Sequence, residues 1–424
     1  MILEPQIECM DQQKLIESIV RPKLSSLLLR AYQHFPFYKK RMDEAGIDPC
    51  SDPLDVLKRM PYLTKKEYCH LERDALLHAN RRLYYVEVTS GTTGKPKRRF
   101  QSRNDELNEL KLASRVMAGF GLSRDDVVVF IDVGDPGIYL WFSKACEAVG
   151  VKDTIYYGIQ SDFGESLKGL IKLDPTVIFT VPSLLARSYD AILHMYQEAG
   201  ETNLQKIVYF GEKLDEGFRK RIQYELNVEI FSHYGGTEVS TLGGECPAHN
   251  GIHIYTDVNL PMLIQPENIS NTVQQGEVTW TTMQIDIQPV IKYRLGDMVQ
   301  IDSSKCKCGR TSPRIKVLGR TDDGFSLYGE KFYYSTFLNT IYSETNETGF
   351  LQIILSNQKA QELMTVILPE KMKSKHIDIK DALYHMNELE FYLEEGFLDL
   401  KIEFVDNSYF TGRKIASIVD RRKY

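Results

Sequence analysis

The densest chemistry in the sequence lies at Thr89-Ser90-Gly91-Thr92-Thr93-Gly94-Lys95-Pro96-Lys97. Gly91 and Gly94 let the backbone turn tightly and present N–H groups, the hydroxyls add donors, and Lys95 and Lys97 add positive charge. Together these can cradle a polyphosphate. The segment is not the Walker loop G-x-x-x-x-G-K-[ST], because its glycines are closer together and Pro96 follows Lys95. A solvated Ser/Thr/Gly surface loop has the same composition, so this stretch alone does not decide. A second group is rich in thiols. Cys246 with His249, and Cys306 with Cys308, offer three thiolates and an imidazole, the ligand set of a closed tetrahedral Zn²⁺ site. His253 is an alternative fourth ligand, and free thiols in a reducing compartment are the alternative to a metal. Such a zinc would be structural, since four protein ligands leave no open coordination position. No Gly-x-Ser-x-Gly nucleophile elbow is present, which argues against a serine hydrolase.

The loop sits between a β-like run at 84–88 and a helical stretch beginning near Asn104. Short apolar, β-branched runs then alternate with helical stretches: 127–132, a helix through 141–149, 177–181, a helix from Ser183, 206–210, a helix from Asp215, and 228–231. That alternation predicts a largely parallel sheet flanked by helices. Residues 278–301 read as hairpin-like strands. From Tyr333 the order is helix, strand (351–355), strand (364–368), helix, strand (398–405), a small α+β pattern of its own. Upstream, apolar residues recur at helical spacing from Leu15 to Ala45, interrupted by Pro22 and Pro36, giving a helical lead-in over 1–80. The expected fold is a large N-terminal α/β domain (1–319) with mixed, largely parallel sheets. A small mobile C-terminal α+β domain (320–424) follows it.

The loop resembles the phosphate loop of the adenylate-forming superfamily of acyl-CoA synthetases, peptide-synthetase adenylation domains and luciferases. Further motifs of that superfamily follow in order. Phe210-Gly211-Glu212 is similar to the segment lining the adenine pocket. Tyr234-Gly235-Gly236-Thr237-Glu238 resembles the aromatic-Gly-x-Thr-Glu motif, which implies a ring near adenine, Thr237 on the α-phosphate and Glu238 on Mg²⁺. Gly276-Glu277-Val278 through Tyr293-Arg294-Leu295-Gly296-Asp297 matches the stretch whose aspartate bonds the ribose hydroxyls. Gly319-Arg320-Thr321-Asp322-Asp323 looks like the hinge between domains, pivoting near Asp322, and Lys414 stands where the family keeps its adenylation lysine. Read without the resemblance, Glu238 and Asp297 are equally at home as cap or turn residues, and Lys414 as part of a solvated basic tail with Arg413, Arg421, Arg422 and Lys423.

Within the superfamily the chain resembles the phenylacetate-CoA ligase branch. The resemblance rests on the helical lead-in with His34-Phe35-Pro36-Phe37-Tyr38, the run Met60-Pro61-Tyr62-Leu63-Thr64-Lys65, and Cys306-Lys307-Cys308-Gly309-Arg310 before the hinge. Some members of the family carry a zinc site. The chain departs from the branch at Lys292, Leu295 and Arg413. The resemblance implies activation of a small carboxylic acid to acyl-AMP with ATP and Mg²⁺, then transfer to a thiol, most simply CoA. The competing outcomes are a carrier-protein phosphopantetheine or an amine as acceptor, and a nucleotide-binding scaffold without activity. An aromatic acid is compatible with the 11% aromatic content but is not specified by it.

Composition agrees with small-molecule chemistry. The 424 residues carry 42% hydrophobic and 26% charged residues, as in ordinary globular proteins, and a formal charge of −6. That balance gives no global attraction to nucleic acid or anionic lipid. No window approaches the roughly 18 apolar residues of a spanning helix, and the N-terminal residues do not read as a signal peptide. The 7 scattered cysteines do not form a disulfide framework. A cytoplasmic enzyme is expected, with a homodimer left open.

Overall fold

In the computed structural model the described residues are all but 79–82, 89–97, 133–136, 159–166, 201, 212–213, 215, 322–323, 328–329, 346–349, 359–360, 387–388, 412–416 and 423–424. The chain opens with short helices, among them Arg21–His34 and Pro36–Glu44. Pro22 and Pro36 occupy first-turn positions, where a missing N–H costs nothing. Leu24, Leu27, Leu28, Ala31, Phe35 and Tyr38 form one buried stripe, the periodicity that predicted the lead-in.

Strands β1 (Leu83–Val88) and β2 (Arg98–Ser102) then pair as a hairpin. Ser102 caps the helix Arg103–Gly119 in a capping box, its Oγ accepting from Asp105 N at 3.1 Å while Asp105 accepts from Ser102 N at 2.8 Å. Next come β3 (Val127–Asp132), β4 (Asp153–Gly158), β5 (Val177–Thr180), β6 (Lys206–Tyr209) and β7 (Glu229–Gly236), parallel to one another. Successive residues of a strand face opposite sides. Val128 and Phe130 meet Val116 and Phe142 of the helices Arg103–Gly119 and Gly137–Glu147, while Val129 and Ile131 meet Tyr189, Ile192 and Ile222 of the helices Pro182–Ala199 and Glu216–Leu226.

At β7 the sheet changes character. Strands β8 (Ser240–Gly244), β9 (Ile252–Ile254), β10 (Asn259–Asn268), β11 (Val273–Thr282), β12 (Val290–Asp302) and β13 (Arg314–Arg320) extend it with antiparallel pairs. The resulting 11-stranded sheet has the order β10-β11-β12-β13-β9-β8-β7-β6-β5-β3-β4. The sheet is mixed as expected, with a larger antiparallel share than the alternation of runs suggested. The lead-in helices cover this antiparallel half, packing on Trp280, Val290 and Tyr293.

The C-terminal unit is α+β. A hairpin of β14 (Gly324–Leu327) and β15 (Glu330–Tyr333) leads to the helix Tyr334–Thr345, then to β16 (Gln352–Gln358), β17 (Gln361–Pro369), β18 (Leu398–Val405) and β19 (Ile418–Asp420) in the order β18-β17-β16-β19. It has its own core around Phe337, Ile353, Met364 and Leu383, while Tyr342 packs into the cluster of Tyr189 and Phe218 in the large sheet unit.

One long-range clasp closes the large unit. Buried Glu8 is 2.7 Å from Arg310 Nε, and its carbonyl accepts from Thr311 N at 3.0 Å. No helix of the described residues is long and apolar enough to cross a membrane.

Candidate active site

The motif residues that the structure describes gather where the parallel and antiparallel halves of the sheet meet. Open α/β sheets bind ligands outside the carboxyl ends of their strands, and β6 and β7 end here in Gly211 and the Tyr234–Gly236 segment. Gly211 has φ +77°, a left-handed conformation suited to glycine. At Gly235 a Cβ would collide with the Ser240 carbonyl, so no other residue fits the β7–β8 reversal.

That reversal presents Thr237 and buried Glu238. Glu238 Oε1 accepts from Tyr293 Oη at 2.7 Å. On β12, next to Gly296 with φ +94°, Asp297 accepts from Tyr234 Oη, so two motifs some 63 positions apart share one hydrogen bond. Thr321 N donates to Gly296 O at 2.6 Å, tying the end of β13 to the same point, and Arg320 pairs with Asp297 across the ladder. The Arg320 side chain, Thr89 to Lys97 (Thr89, Ser90, Gly91, Thr92, Thr93, Gly94, Lys95 and Lys97 among the expected binders), Glu212, Asp322 and Lys414 lie outside the described residues.

The wall beside Tyr234 is aromatic. His233, half-buried, has its Nε2 3.0 Å from Thr241 Oγ1 and its ring edge-on to Phe142 at 4.9 Å. Burial brings its pKa down to about 3, so this imidazole is neutral near pH 7. Phe130, Phe179 and Phe210 extend the cluster around Phe142.

Two departures from the family pattern have physical explanations. Lys292, with φ +52°, donates to Lys58 O at 2.9 Å and Met60 O at 2.8 Å and lies over the Tyr62 ring. Its ammonium thereby satisfies carbonyls at the end of the helix Pro53–Arg59, where a cation is favoured. Leu295 is buried in the core beneath the site, its methyls beside Gly236.

The thiol cluster assembles with one change of partner. Cys246, His253, Cys306 and Cys308 place their ligand atoms all within 4.8 Å of one another. Cys246 Sγ is 3.7 Å from Cys306 Sγ, and Cys308 Sγ is 3.4 Å from His253 Nε2. A tetrahedral Zn²⁺ with bonds of about 2.3 Å to sulfur and 2.0–2.1 Å to nitrogen needs separations of about 3.8 and 3.6 Å. Ser312 Oγ lies 2.9 Å from His253 Nδ1 and orients the ring so that Nε2 faces the sulfurs.

His249, the ligand expected from its spacing to Cys246, is turned away. With φ +46° in the turn after Cys246, it sits 3.3 Å from both Arg219 Nη2 and Glu229 Oε1, with its ring against Phe231. His253 replaces it because β9 pairs between β8 and β13, bringing residue 253 opposite Gly244 and Arg314. Burial opposes ionisation of Cys308. Hydrogen bonds from His253 and Arg310 outweigh it and bring the thiol down to about 5, whereas burial pushes Cys246 up to about 12.

The sequence reading missed Glu87, Arg99 and Glu109, which form a charged network beside Thr237, buried at Arg99 and Glu109 and partly exposed at Glu87. Its only signal was the position of Glu87 and Arg99 on either side of the loop, since charged residues in a short strand ordinarily read as solvent-facing.

Comparison with known proteins agrees with this geometry. Residues 31–262 match the family described as AMP-binding enzyme. A phenylacetate–coenzyme A ligase of Thermus thermophilus is 27% identical over 345 residues, covering 78% of this chain and 76% of that protein. One from Escherichia coli is 25% identical over 329 residues, covering 76% and 74%. A crystal structure of 2-hydroxyisobutyryl-CoA ligase in the postadenylation state, in complex with R3-HIB-AMP, superposes with a TM-score of 0.80 at 20% identity. It covers 98% of this chain and 91% of that one. The chain belongs to the AMP-binding enzyme family, the adenylate-forming superfamily, in its phenylacetate-CoA ligase-like branch.

Proposed function

We propose that this chain is an AMP-forming acid–CoA ligase: it activates a small carboxylic acid as its acyl-AMP with release of pyrophosphate, then transfers the acyl group to the thiol of CoA. The observation that carries the reading is the meeting of Tyr234, Thr237, Glu238 and Asp297 at one sheet seam. The relatives named as CoA ligases support a thiol acceptor.

Attack of a carboxylate on the α-phosphorus forms one P–O bond and breaks the bond to pyrophosphate. Negative charge builds on phosphoryl oxygens, so the site needs cations and oriented donors rather than a protein nucleophile. Thr237 would contact the α-phosphate, Asp297 would hold the ribose hydroxyls, and Tyr234, oriented by its bond to Asp297, would flank the adenine. Residues 89–97 would cradle the leaving phosphates, with Gly211 and Glu212 lining the base. Lys414 would neutralise charge during adenylation alone. Glu238, fixed by Tyr293, would hold Mg²⁺, which when bound neutralises phosphate charge. Cys246, His253, Cys306 and Cys308 would hold a structural Zn²⁺ that locks the β8–β9 and β12–β13 connections together.

An acid-panel screen for ATP–pyrophosphate exchange tests the first half-reaction, and product analysis with CoA, a carrier protein and amines tests the second. A folded, ATP-binding protein that exchanges no pyrophosphate with any acid would overturn the proposal.

Two substitutions report on single roles. Asp297→Asn should raise KM for ATP by roughly ten- to a hundredfold, because a charge-assisted bond contributes about 1.5–3 kcal/mol. An unchanged KM in pyrophosphate exchange would remove Asp297 from the ribose site. We also place the border between a mobile small domain (320–424) and the large domain (1–319) near Asp322. Asp322→Pro, by fixing φ near −65°, should permit adenylation yet slow thioester formation by tenfold or more. Normal transfer from preformed acyl-AMP by the well-folded variant would show that Asp322 is not the pivot.

A further inference from the structure

The hairpin of β1 and β2 brackets residues 89–97, and one step in from the Val88–Arg98 pair Glu87 faces Arg99. Glu87 Oε2 lies 3.5 Å from Arg99 Nη1. The other terminal nitrogen of the same guanidinium holds Glu109, on the helix Arg103–Gly119. The second oxygen of Glu109 accepts from Gln101 Nε2 at 2.8 Å and from Ser240 Oγ at 2.9 Å. The Thr237 hydroxyl lies close enough to Glu87 to favour its ionised form. One guanidinium therefore links both strands that leave residues 89–97 to both ends of the segment 237–240.

Three features point to more than fold maintenance. Arg99 and Glu109 are 4% and 0% exposed, and a buried ion pair of this kind is often matched or bettered in stability by apolar residues of similar volume. Ser240 has φ +61°, a strained conformation for serine that persists where surrounding contacts over-determine it, as its bond to Glu109 does. Finally, Arg99 Nε and Tyr68 Oη are buried polar atoms without a hydrogen-bond partner among the described residues. The Tyr68 ring packs on Tyr293, which holds Glu238.

We propose that Arg99 is a positioning residue of the nucleotide site, acting through Glu87 and Glu109 to hold Thr237 and Glu238 where Mg–ATP binds. The inference rests on the adenylation reading above and assigns that site's alignment to a network outside its motifs.

The test is calorimetric titration of Mg–ATP into the purified chain, beside KM values for ATP and for the acid in pyrophosphate exchange. Arg99→Met and Glu109→Gln should each weaken Mg–ATP binding at least tenfold while KM for the acid changes less than twofold. Arg99→Lys, a charge that cannot span two carboxylates, should recover only part of the loss. Arg115→Met, which removes a comparably buried pair with Asp257, should leave Mg–ATP affinity unchanged.

Where a single variant misfolds, Arg99→Met/Glu109→Met removes both charges and separates the roles. It should fold yet keep the weakened binding, and wild-type affinity in that folded double variant overturns the proposal. Should it also fail to fold, Glu87→Gln, at the more exposed end, is expected to weaken binding about threefold, and unchanged affinity there overturns the proposal as well. A wild-type chain that binds Mg–ATP but exchanges no pyrophosphate refutes the activity alone, whereas one that does not bind Mg–ATP refutes the positioning role too.

Discussion

Lys414→Ala is expected to lower acyl-AMP formation by roughly a hundred- to a thousandfold while leaving thioester formation from preformed acyl-AMP and CoA close to the wild-type rate. A cation aimed at developing phosphoryl charge in a water-poor site contributes about 3–4 kcal/mol to the transition state and little elsewhere. The second half-reaction expels AMP from a carboxyl carbon and develops its charge at a different place, so the same lysine has no equivalent task there. Single-turnover assays of the two steps, run separately, make the comparison. Equal loss in both steps would show Lys414 to be structural or a general nucleotide ligand. Loss in neither would return it to the basic tail formed with Arg421, Arg422 and Lys423.

The second large effect is expected from the thiol cluster. Protein purified without added metal should carry one Zn²⁺ per chain, and the metal should be absent from Cys306→Ser/Cys308→Ser and from His253→Ala. His249→Ala should retain it, since His249 is engaged with Arg219 and Glu229. Loss of a structural metal ranks among the costliest single changes, on the order of 5 kcal/mol, which for a domain of this size lowers Tm by roughly 10 °C. The loss should be felt mainly in the antiparallel half of the sheet, because Cys306 and Cys308 lie between β12 and β13 and Cys246 follows β8. Elemental analysis and thermal unfolding suffice as readouts. Full metal content in the double cysteine variant, or no metal in the wild type, would sink the site.

How much of this was legible in the sequence follows the chemistry of each part. Phosphate and ribose binding demand particular residue types in tight order, so Tyr234 to Glu238 and Asp297 stood out, and the structure brings them together. The thiols were legible for the same reason. The choice of histidine was not, because nearness along the chain favours His249 while strand pairing delivers His253. β3 and β5 were legible from their unbroken apolar runs, and β18 from its alternation of Leu398, Leu400, Ile402 and Phe404 with charged residues. β4, short and capped by Asp153 and Gly158, and β8, rich in glycine, lack the alternation that marks a strand and emerged only in the folded sheet. Arg99 and Glu109 were hidden by a rule that usually holds, that charges face water. Their burial is decided by partners drawn from three separate segments.

The clasp between Glu8 and Arg310 has a consequence for how the protein is made. Its two halves are 302 positions apart, so at a synthesis rate of 5–20 residues per second roughly 15–60 s separate the emergence of one from the other. During that interval the apolar stripe of the first helices has no antiparallel half to cover, since Trp280, Val290 and Tyr293 are also still to come. The nascent chain therefore spends that interval on the ribosome with its leading helices unclaimed, a window in which a holdase chaperone would find its natural client.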